Sequence, residues 1–245
     1  MADRLVIVSG KGGAGKSTAA VLLGRSLVSS GKKVLLVDAD VGLNALGILT
    51  GAAAQSVYHW GDALAGRCDA GDCVADCGGG LHLLLAPAAP SGELTPARFA
   101  QLILSYDAAY DYILVDGPAG IGAGMELAAA PAAKALLLSA PDDVSVSGCA
   151  KAAQRVCACG PKQARLIINR FRFKAVKKCR QINIDNMIDR AGVRLIGIVP
   201  EDKNLWYFGS CGLLPKRESP AIAAYARIAG RLQGQNILLN PYLLK

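Results

Sequence analysis

The sequence lacks any long hydrophobic run, although 52% of its 245 residues are apolar. A helix that spans a membrane needs about 20 consecutive, mostly apolar residues, and no stretch of this chain reaches that length. The first ten residues, MADRLVIVSG, also lack the basic start and the cleavage site of a secretory signal peptide. We therefore expect a soluble protein that is not exported.

The cysteines lack the spacing of a structural zinc site. Cys68, Cys73 and Cys77 come closest to a cluster, but the gaps between them differ from the paired C-x2-C arrangement of such sites. Eight cysteines in a chain without an export signal are expected to stay reduced rather than form a disulfide framework. Metal binding by the first three is the less favoured alternative, and Cys157 and Cys159 are predicted to be small core residues.

Acidic residues are too few to balance the basic ones, since 19 Asp and Glu face 27 Lys and Arg and leave a formal charge of +8. Such an excess favours anionic partners. Much of it lies in a single basic run, formed by Arg170, Arg172, Lys174, Lys177, Lys178 and Arg180. A solvated face is the favoured interpretation of this run, and a patch that faces lipid or DNA is the alternative.

No linker and no internal repeat divides the chain, so we predict one domain over residues 1–245. Short apolar segments alternate with helical patterns, and strands are predicted within 5–8, 32–40, 110–120, 134–142, 164–171 and 193–202. Apolar strands separated by helices predict an α/β fold, with a doubly wound, mostly parallel sheet and helices on both faces. Residues 66–96, rich in Gly, Ala, Pro and Cys, are predicted to be a surface excursion.

Polar residues follow these strands at their carboxyl ends, where open parallel sheets bind their ligands. They are the glycine loop after the first strand, Asp38, Asp40, Asp116, Asp142, Asp143, Asn169, Glu201 and Asp202. Their common position predicts one ligand site at this edge of the sheet.

The glycine loop GKGGAGKS, residues 10–17, fits the phosphate-loop pattern G-x-x-x-x-G-K-[ST] between a strand and a helix. Its backbone N–H groups and the helix N-terminus are expected to surround phosphate oxygens. Lys16 should neutralise the β- and γ-phosphates of ATP, and the Ser17 hydroxyl should bind Mg²⁺. The predicted phosphate-binding residues are Gly10, Lys11, Gly12, Gly13, Ala14, Gly15, Lys16, Ser17 and Thr18.

The loop GKGGAGKST carries a second lysine, Lys11, and in this it resembles the deviant Walker A motif of the MinD/ParA ATPases, a SIMIBI-type group of P-loop NTPases. In that family the early lysine reaches across a dimer to the partner's nucleotide. The resemblance therefore implies a homodimer that forms when ATP is bound, with Lys11 and Lys16 both acting in catalysis.

The resemblance continues along nearly the whole chain. KKVLLVDADVGL is similar to the family's switch I, which implies that Asp40 orients the attacking water and that Asp38 lies near Mg²⁺. LVDGPAGIG resembles the Walker B and switch II region, in which Asp116 would hold Mg²⁺ through water. IINRF and IGIVPED resemble the adenine-side loops, which implies base contacts from Asn169, Pro200, Glu201 and Asp202.

The stretch INIDNMIDRAGVRLIGIVPED is closest to the MinD branch, which implies a slow, Mg²⁺-dependent ATPase that is stimulated by partners and helps to place the division septum in a bacterial cell. Activator and effector proteins and a cytoplasmic location, with peripheral attachment to the inner face of the membrane, are implied with it. The alternative is a ParA-like ATPase that binds DNA non-specifically through residues 170–180. An iron–sulfur ATPase and a non-hydrolysing scaffold are less favoured.

The chain departs from the family pattern in three places. Ala45 and Gly47 stand where an Asn and an Asp are usual, although Asn44 could replace the former. Ser147 and Gly148 replace an Arg-Asp pair, so stimulation by the usual activator is in doubt. The end, NILLNPYLLK, contains a proline and one basic residue rather than a basic amphipathic helix, so we favour packing on the domain or disorder over membrane binding.

Overall fold

The computed structural model describes residues 1–53, 55–89, 94–178, 180–205, 208 and 219–239. Its strands are β1 (Asp3–Val8), β2 (Val34–Asp38), β3 (Val74–Asp76), β4 (Leu81–Leu84), β5 (Tyr112–Asp116), β6 (Lys134–Ser139), β7 (Gln163–Phe171) and β8 (Leu195–Pro200). They form an eight-stranded sheet in the order β3-β4-β2-β5-β1-β6-β7-β8. Only the β3–β4 pair is antiparallel among these strands.

Helices occupy the connections between the strands. They are α1 (Lys16–Ser29), α2 (Ala45–Thr50), α3 (Trp60–Leu64), α4 (Pro96–Leu104), α5 (Ala123–Ala129), α6 (Asp143–Ala158), α7 (Phe173–Lys177), α8 (Ile184–Ala191) and α9 (Pro220–Leu232). Short 3₁₀ turns lie at Ala70–Cys73 and Lys203–Leu205. Each parallel crossover thus returns over a face of the sheet, as βαβ connections require.

Both faces of the sheet are covered, because side chains alternate along each buried strand. In β1, Leu5 and Ile7 belong to a core under α1 and α9, whereas Val6 and Val8 belong to a second core under α3–α6 and α8. Val34–Asp38 and Tyr112–Asp116 are buried at every position. The predicted doubly wound, mostly parallel α/β fold is confirmed, and the division into a single domain stays a prediction.

The order of the strands brings the polar loop ends together. β1 lies between β5 and β6, and β5 lies between β2 and β1, so the carboxyl ends of β2, β5 and β1 are neighbours. In the parallel register Asp38 is opposite Asp116, and Asp116 is opposite Ile7, three residues before the glycine loop. The predicted site therefore assembles at a single edge of the sheet.

The prediction of a surface excursion over residues 66–96 is wrong in its middle part. This segment contains β3 and β4, and β4 pairs in parallel with β2 inside the sheet, with Leu81 and Leu83 buried. The strands escaped prediction because they have three and four residues and follow or precede glycine-rich turns. Cys157 is likewise exposed rather than in the core.

At the other end of the chain, the segment after α9 packs back on it. The Arg231 guanidinium donates hydrogen bonds to the carbonyl oxygens of Ile237 and Leu238 at 2.9 and 3.1 Å. The rest of the predicted terminal segment, 240–245, lies outside the described residues. None of the helices in the described ranges is long and apolar enough to cross a membrane.

Candidate nucleotide-binding site

The glycine loop forms a turn of free backbone donors between β1 and α1. Gly13 and Gly15 adopt φ angles of 74° and 93°, which L side chains rarely adopt. Backbone N–H groups from Lys11 to Gly15 donate no hydrogen bond to any residue that the structure describes. A row of free N–H groups that ends at a helix N-terminus is suited to bind phosphate oxygens.

Lys16 and Lys11, the two lysines of the loop, lie in different environments. Lys16 is only 8% exposed, and its charge partly offsets the rise that burial causes in the pKa values of Asp40 and Asp116. The Lys11 side chain is 53% exposed, and its Nζ lies 3.9 Å from Oδ1 of Asp142. Lys16 thus faces the carboxylates of its own site, whereas Lys11 lies on the outer side of the loop.

Asp38 and Asp116 place two buried carboxyl groups beside the loop, at exposures of 0% and 1%. Asp38 accepts hydrogen bonds from the backbone N–H groups of Asp40 and Leu46 at 3.0 and 3.2 Å. Neither carboxylate oxygen of Asp116 has a hydrogen-bond partner among the described residues. The Ser17 hydroxyl is near enough to offset part of the rise in the Asp116 pKa that burial causes, although it makes no hydrogen bond of standard geometry with either oxygen.

Burial controls the titration of these groups. It raises the pKa of Asp116 to about 7, an effect that Asp38 reinforces and that Ser17 and Lys16 only partly offset. Burial likewise raises the pKa of Asp38 to about 6, against the two backbone hydrogen bonds. The pKa of the more open Asp40 is also raised by burial, and the charge of Lys16 opposes that shift.

The donor set fits a Mg²⁺ ion. Mg²⁺ prefers oxygen ligands and is usually held by one or two carboxylates together with phosphates and water. Asp116 supplies two unpartnered buried oxygens, with Ser17 and Asp38 beside it. Among the described residues, no group of three or more His, Cys, Asp or Glu side chains is arranged to hold a metal. A bound nucleotide and water would supply the remaining oxygen ligands of the ion.

A cleft of about 580 Å³ continues from the loop toward β7 and β8. It is lined by Gly15, Thr18, Asn169, Arg170, Val199, Pro200, Glu201, Asp202, Leu205 and Tyr225. This cleft brings together the four residues predicted to contact adenine and two residues of the phosphate-binding segment. Its volume falls within the range of about 300–1,000 Å³ typical of small-molecule sites.

Asn169 connects the cleft to the phosphate loop. Its Nδ2 donates a hydrogen bond to the carbonyl oxygen of Ala14 at 2.8 Å. The pairing of β7 with β8 is irregular between Ile168 and Phe171, and Arg170 adopts a positive φ of 57°. Such irregularities redirect side chains near active sites. Here the irregularity separates Asn169, which faces the loop, from the basic residues that follow it.

The basic run lines a second depression of about 460 Å³ next to the first cleft. Its charged lining consists of Arg170, Arg172, Lys174, Lys178, Arg180, Asp142 and Glu201. Arg172 pairs with Glu201, which also lines the first cleft. Of the predicted run, the side chain of Lys177 lies outside the described residues. The described basic residues of the run thus share one depression, and their exposure agrees with the solvated face favoured from the sequence.

The departures from the family pattern lie close to the site. Gly148 in α6 packs against Gly10, and a Cβ at Gly10 would be 2.1 Å from the carbonyl carbon of Gly148. Asn44 begins α2 with a φ of 45°, and its buried Oδ1 has no partner among the described residues. A Cβ at Gly47 would come within 2.4 Å of that oxygen. These small residues thus fit the local packing.

Two contacts around the site were not predicted from the sequence. The buried Trp60 donates a hydrogen bond from Nε1 to the carbonyl oxygen of Asp38 at 2.8 Å. Asp142 caps α6, because it accepts hydrogen bonds from the Ser145 N–H and hydroxyl at 2.9 and 2.6 Å. Burial opposes ionisation of Asp142, but these bonds and Lys11 hold its pKa below the usual value. Asp142 was at least placed near the site by its position after an apolar strand, whereas Trp60 belongs to no motif in the sequence that would place it there.

Comparison with known proteins agrees with this geometry. Residues 5–212 match the family model described as the CobQ/CobB/MinD/ParA nucleotide binding domain. The chain is 34% identical to the septum site-determining protein MinD of Synechocystis over 239 residues, which cover 95% of this chain and 90% of that protein.

Solved structures give the same picture. The structure titled "MinC:MinD cell division protein complex" from Aquifex aeolicus has a TM-score of 0.88 at 32% identity, covering 98% of both chains. MinD from Pyrococcus horikoshii, solved with Mg-ADP, has a TM-score of 0.82 at 26% identity and covers 95% of this chain and 96% of that one.

Proposed function

The chain belongs to the CobQ/CobB/MinD/ParA family of nucleotide-binding domains, in its MinD branch, and from this we propose an ATP-driven dimerisation switch that helps to place the division septum. The relatives confirm that the chain resembles MinD and support a division-site ATPase, whereas the ParA-like alternative has less support. The Mg²⁺ dependence, slow turnover, partner stimulation and homodimer belong to the proposal.

The observation that carries the proposal is the contrast between the two lysines. Lys16 is buried beside the carboxylates, where it would neutralise phosphate charge that belongs to its own nucleotide. Lys11 is half exposed, and its Nζ forms a long ion pair of 3.9 Å with Asp142. An ammonium group held at the outer rim of an anion site is available to a second copy of the chain. ATP binding and pairing of the two chains would then be one event.

Residues of this chain would share the hydrolysis as follows. Asp116, Asp38 and Ser17 would hold Mg²⁺, which supplies charge neutralisation for the phosphates when it is bound. Asp40 follows Asp38 at the mouth of the site and would orient the attacking water. Burial raises the pKa of Asp40, and the charge of Lys16 opposes that shift and favours its ionised form.

The partner proteins are inferred from the relatives. The Aquifex MinD was solved in a complex with MinC, and we extend this to propose an effector of that kind for the present chain. Ser147 and Gly148 replace the usual Arg-Asp pair at the surface of α6, so we propose that its activator differs in chemistry from the usual one. We also propose a cytoplasmic location, with peripheral attachment at the inner face of the membrane as the less favoured alternative, because the described part of the C-terminal segment packs on α9.

Light scattering on purified protein tests the switch. The protein is measured with ATP and with ADP, in an Asp40→Ala background that slows turnover. We expect the parent to dimerise with ATP only and Lys11→Ala to stay monomeric. Lys151→Ala is the matched control, because Lys151 is also exposed and lines the same depression beside Lys11. The proposal is contradicted if both lysine variants dimerise with ATP. It is also contradicted if neither the parent nor the Lys151→Ala control dimerises.

The ParA-like alternative has one structural observation in its favour, the basic depression beside the nucleotide cleft. Non-specific DNA binding through it would weaken steeply with salt because counterions are released from the phosphates. A Lys174→Ala, Lys178→Ala double variant, which leaves the lining of the nucleotide cleft unchanged, should then lose DNA affinity while retaining ATP hydrolysis. ATP-dependent DNA binding of the wild type, with loss in this variant, would favour that function over septum placement.

A further inference from the structure

Two cysteines lie in contact near the switch region. The Sγ atoms of Cys68 and Cys73 are 3.4 Å apart. A disulfide has an S–S distance of about 2.05 Å, so the two sulfurs need to approach by about 1.4 Å. Cys68 lies in the turn after α3, and Cys73 ends the short 3₁₀ turn that begins at Ala70. The intervening chain contains Gly71, around which no atom lies within 4 Å of an added Cβ.

We propose that Cys68 and Cys73 form a redox-active modification site, which peroxide converts reversibly into an intramolecular disulfide. The inference does not rest on the proposed function, because it concerns two thiols of the folded chain. The other described cysteines lie elsewhere: Cys149 is buried in α6, Cys157 and Cys159 are at its end, and Cys77 packs against the core on the other face of the sheet. A reducing compartment makes such a bond transient, as is usual for redox-sensing cysteines there.

The environments of the two sulfurs give them different roles. Cys68 is half-buried and is therefore the thiol that an oxidant reaches first. Cys73 is fully buried, and burial, reinforced by Cys68, raises its pKa to about 12. Cys73 thus stays protonated at neutral pH and is shielded from solvent. A partly accessible cysteine beside a protected partner is the arrangement in which the first is oxidised and the second resolves it.

The reaction balances with hydrogen peroxide as the oxidant. The Cys68 sulfur attacks one peroxide oxygen, so that an S–O bond forms and the O–O bond breaks, and the departing hydroxide takes the proton of the Cys68 thiol to become water. The Cys73 sulfur then attacks Cys68 Sγ, which forms the S–S bond and releases a second hydroxide, and this takes the Cys73 proton. The two thiols together lose two electrons, and one peroxide molecule is reduced to two water molecules. A dithiol reductant reverses the bond by exchange.

The site is connected to Asp38, a predicted Mg²⁺ residue, by three hydrogen bonds at the N-terminus of α3. Cys73 Sγ donates to the carbonyl oxygen of His59 at 3.3 Å, and His59 caps α3 by accepting from the Asp62 N–H at 3.2 Å. The next residue, Trp60, donates to the Asp38 carbonyl at 2.8 Å. Disulfide formation removes the Cys73 S–H group, so the His59 carbonyl oxygen loses this donor. Oxidation therefore changes the N-terminus of the helix that positions Trp60 against Asp38.

Peptide mapping tests the pairing directly. Cleavage before aspartate separates the three neighbouring cysteines into fragments 62–68, 72–75 and 76–106. After peroxide treatment of the full chain and alkylation of free thiols, we expect fragments 62–68 and 72–75 to be joined, with separation on reduction by dithiothreitol. Joining of either fragment to 76–106, which contains Cys77, would overturn the assignment, and so would the absence of any linkage.

Two variants sharpen the test. Cys68→Ser should abolish the linkage, and because Cys68 is half-buried this variant is expected to fold. Cys157→Ser is the matched control, since it removes an exposed thiol and should leave the linkage yield unchanged. If Cys157→Ser prevents linkage, the bond is made between chains or by exchange, and the proposal fails. If Cys73 still forms a disulfide with another cysteine in Cys68→Ser, the 3.4 Å contact does not determine the pairing, and the proposal also fails.

The connection to Asp38 has its own readout. In ¹⁵N-labelled protein the indole N–H resonance of Trp60, assigned by its loss in Trp60→Phe, should shift on oxidation and return on reduction. The same treatment of Cys68→Ser should leave the resonance in place. A resonance that does not move in the oxidised wild type would show that the disulfide stays a local change and would refute the connection to the switch region.

Discussion

Gly148 of α6 lies directly against Gly10, the first glycine of the phosphate loop. A Cβ on Gly10 would stand 2.1 Å from the carbonyl carbon and 2.2 Å from the carbonyl oxygen of Gly148. A Cβ on Gly148 would stand 3.2 Å from backbone atoms of Gly10. The two positions are therefore unequal: the first leaves no room for a methyl group, and the second leaves slightly too little.

We expect Gly10→Ala to destabilise the protein by more than about 2 kcal/mol and to abolish ATP binding, because backbone atoms must move apart. Gly148→Ala should cost about 1 kcal/mol and weaken ATP binding less. Gly12→Ala is the matched control for folding without nucleotide, since its nearest neighbour, the Cβ of Ala119, is 3.9 Å away. Urea unfolding and ATP titration measure both effects. Equal losses in Gly10→Ala and Gly12→Ala would contradict the packing argument.

The buried carboxyl groups make stability depend on pH. Without Mg²⁺, Asp38 and Asp116 titrate near 6 and 7 in the folded protein, above the ordinary value of 3.8. Between pH 3.8 and these raised pKa values the folded state binds more protons than the unfolded state, so the free energy of unfolding falls as pH rises. The slope is at most about 1.4 kcal/mol per pH unit for each group.

The expected result is that the metal-free protein is more stable at pH 5.5 than at pH 8, and that Asp116→Asn has a flatter dependence. Asp189→Asn, at an exposed position in α8, is the control and should follow the wild type. Mg²⁺ with ADP should restore stability at pH 8, because the ion requires ionised carboxylates. Urea unfolding in EDTA and in Mg-ADP at both pH values measures this. An identical slope in Asp116→Asn and wild type would exclude Asp116 as the titrating group.

Asn169 donates to the Ala14 carbonyl across 155 residues of sequence, which predicts an unusual order of variants. Asn169→Ala leaves a buried carbonyl without its donor, at about 1–3 kcal/mol. Asn169→Asp has nearly the same size but directs an acceptor at that carbonyl, so at pH 8 it should be less stable and bind ATP more weakly than Asn169→Ala. Lowering the pH should narrow the difference. Gln163→Ala, exposed at the start of β7, is the control.

Thermal unfolding and titration with ATP and GTP measure the effect. Both Asn169 variants should bind ATP at least about tenfold more weakly, with reduced preference for ATP over GTP if Asn169 also contacts the base. An Asn169→Asp variant that is more stable than Asn169→Ala at pH 8 would show that donation to the Ala14 carbonyl oxygen does not support the folded state.

The predictable parts of the molecule are those whose information is local in sequence. The central strands could be predicted because each is a short, wholly apolar segment buried on both faces, such as Val34–Asp38. The phosphate loop could be predicted because its glycines and lysines are contiguous. Since these loops follow neighbouring strands of a parallel sheet, the gathering of Asp38, Asp116 and Asn169 at one edge was also expected.

The remainder depends on contacts between distant segments. β4 lies inside the sheet, yet its four residues after three glycines carry no periodic signal. The approach of Gly148 to Gly10 and the hydrogen bond of Asn169 to Ala14 arise only when α6 and β7 are placed beside the loop. The same holds for the sulfur contact of Cys68, since sequence spacing alone gave no reason to join it with Cys73.

Trp60 gives the last prediction, because it supports Asp38 from a segment with no recognisable motif. Its indole N–H donates to the Asp38 carbonyl at 2.8 Å, and its ring packs edge-on against Phe99 with centroids 5.0 Å apart. Trp60→Phe retains an aromatic ring but leaves that carbonyl without its donor and creates a small cavity. We expect a loss of about 2–4 kcal/mol in the free energy of unfolding.

A second variant separates packing from support of the site. Phe99→Leu disturbs the same aromatic contact but leaves the hydrogen bond to Asp38 in place, so it should lower stability with little change in Mg²⁺ dependence. Trp60→Phe should lower stability and also raise the Mg²⁺ concentration needed for half-maximal ATP hydrolysis, because the indole no longer holds the Asp38 backbone in place. If both variants shift the Mg²⁺ requirement equally, the hydrogen bond has no role of its own, and the effect belongs to the apolar packing under α3.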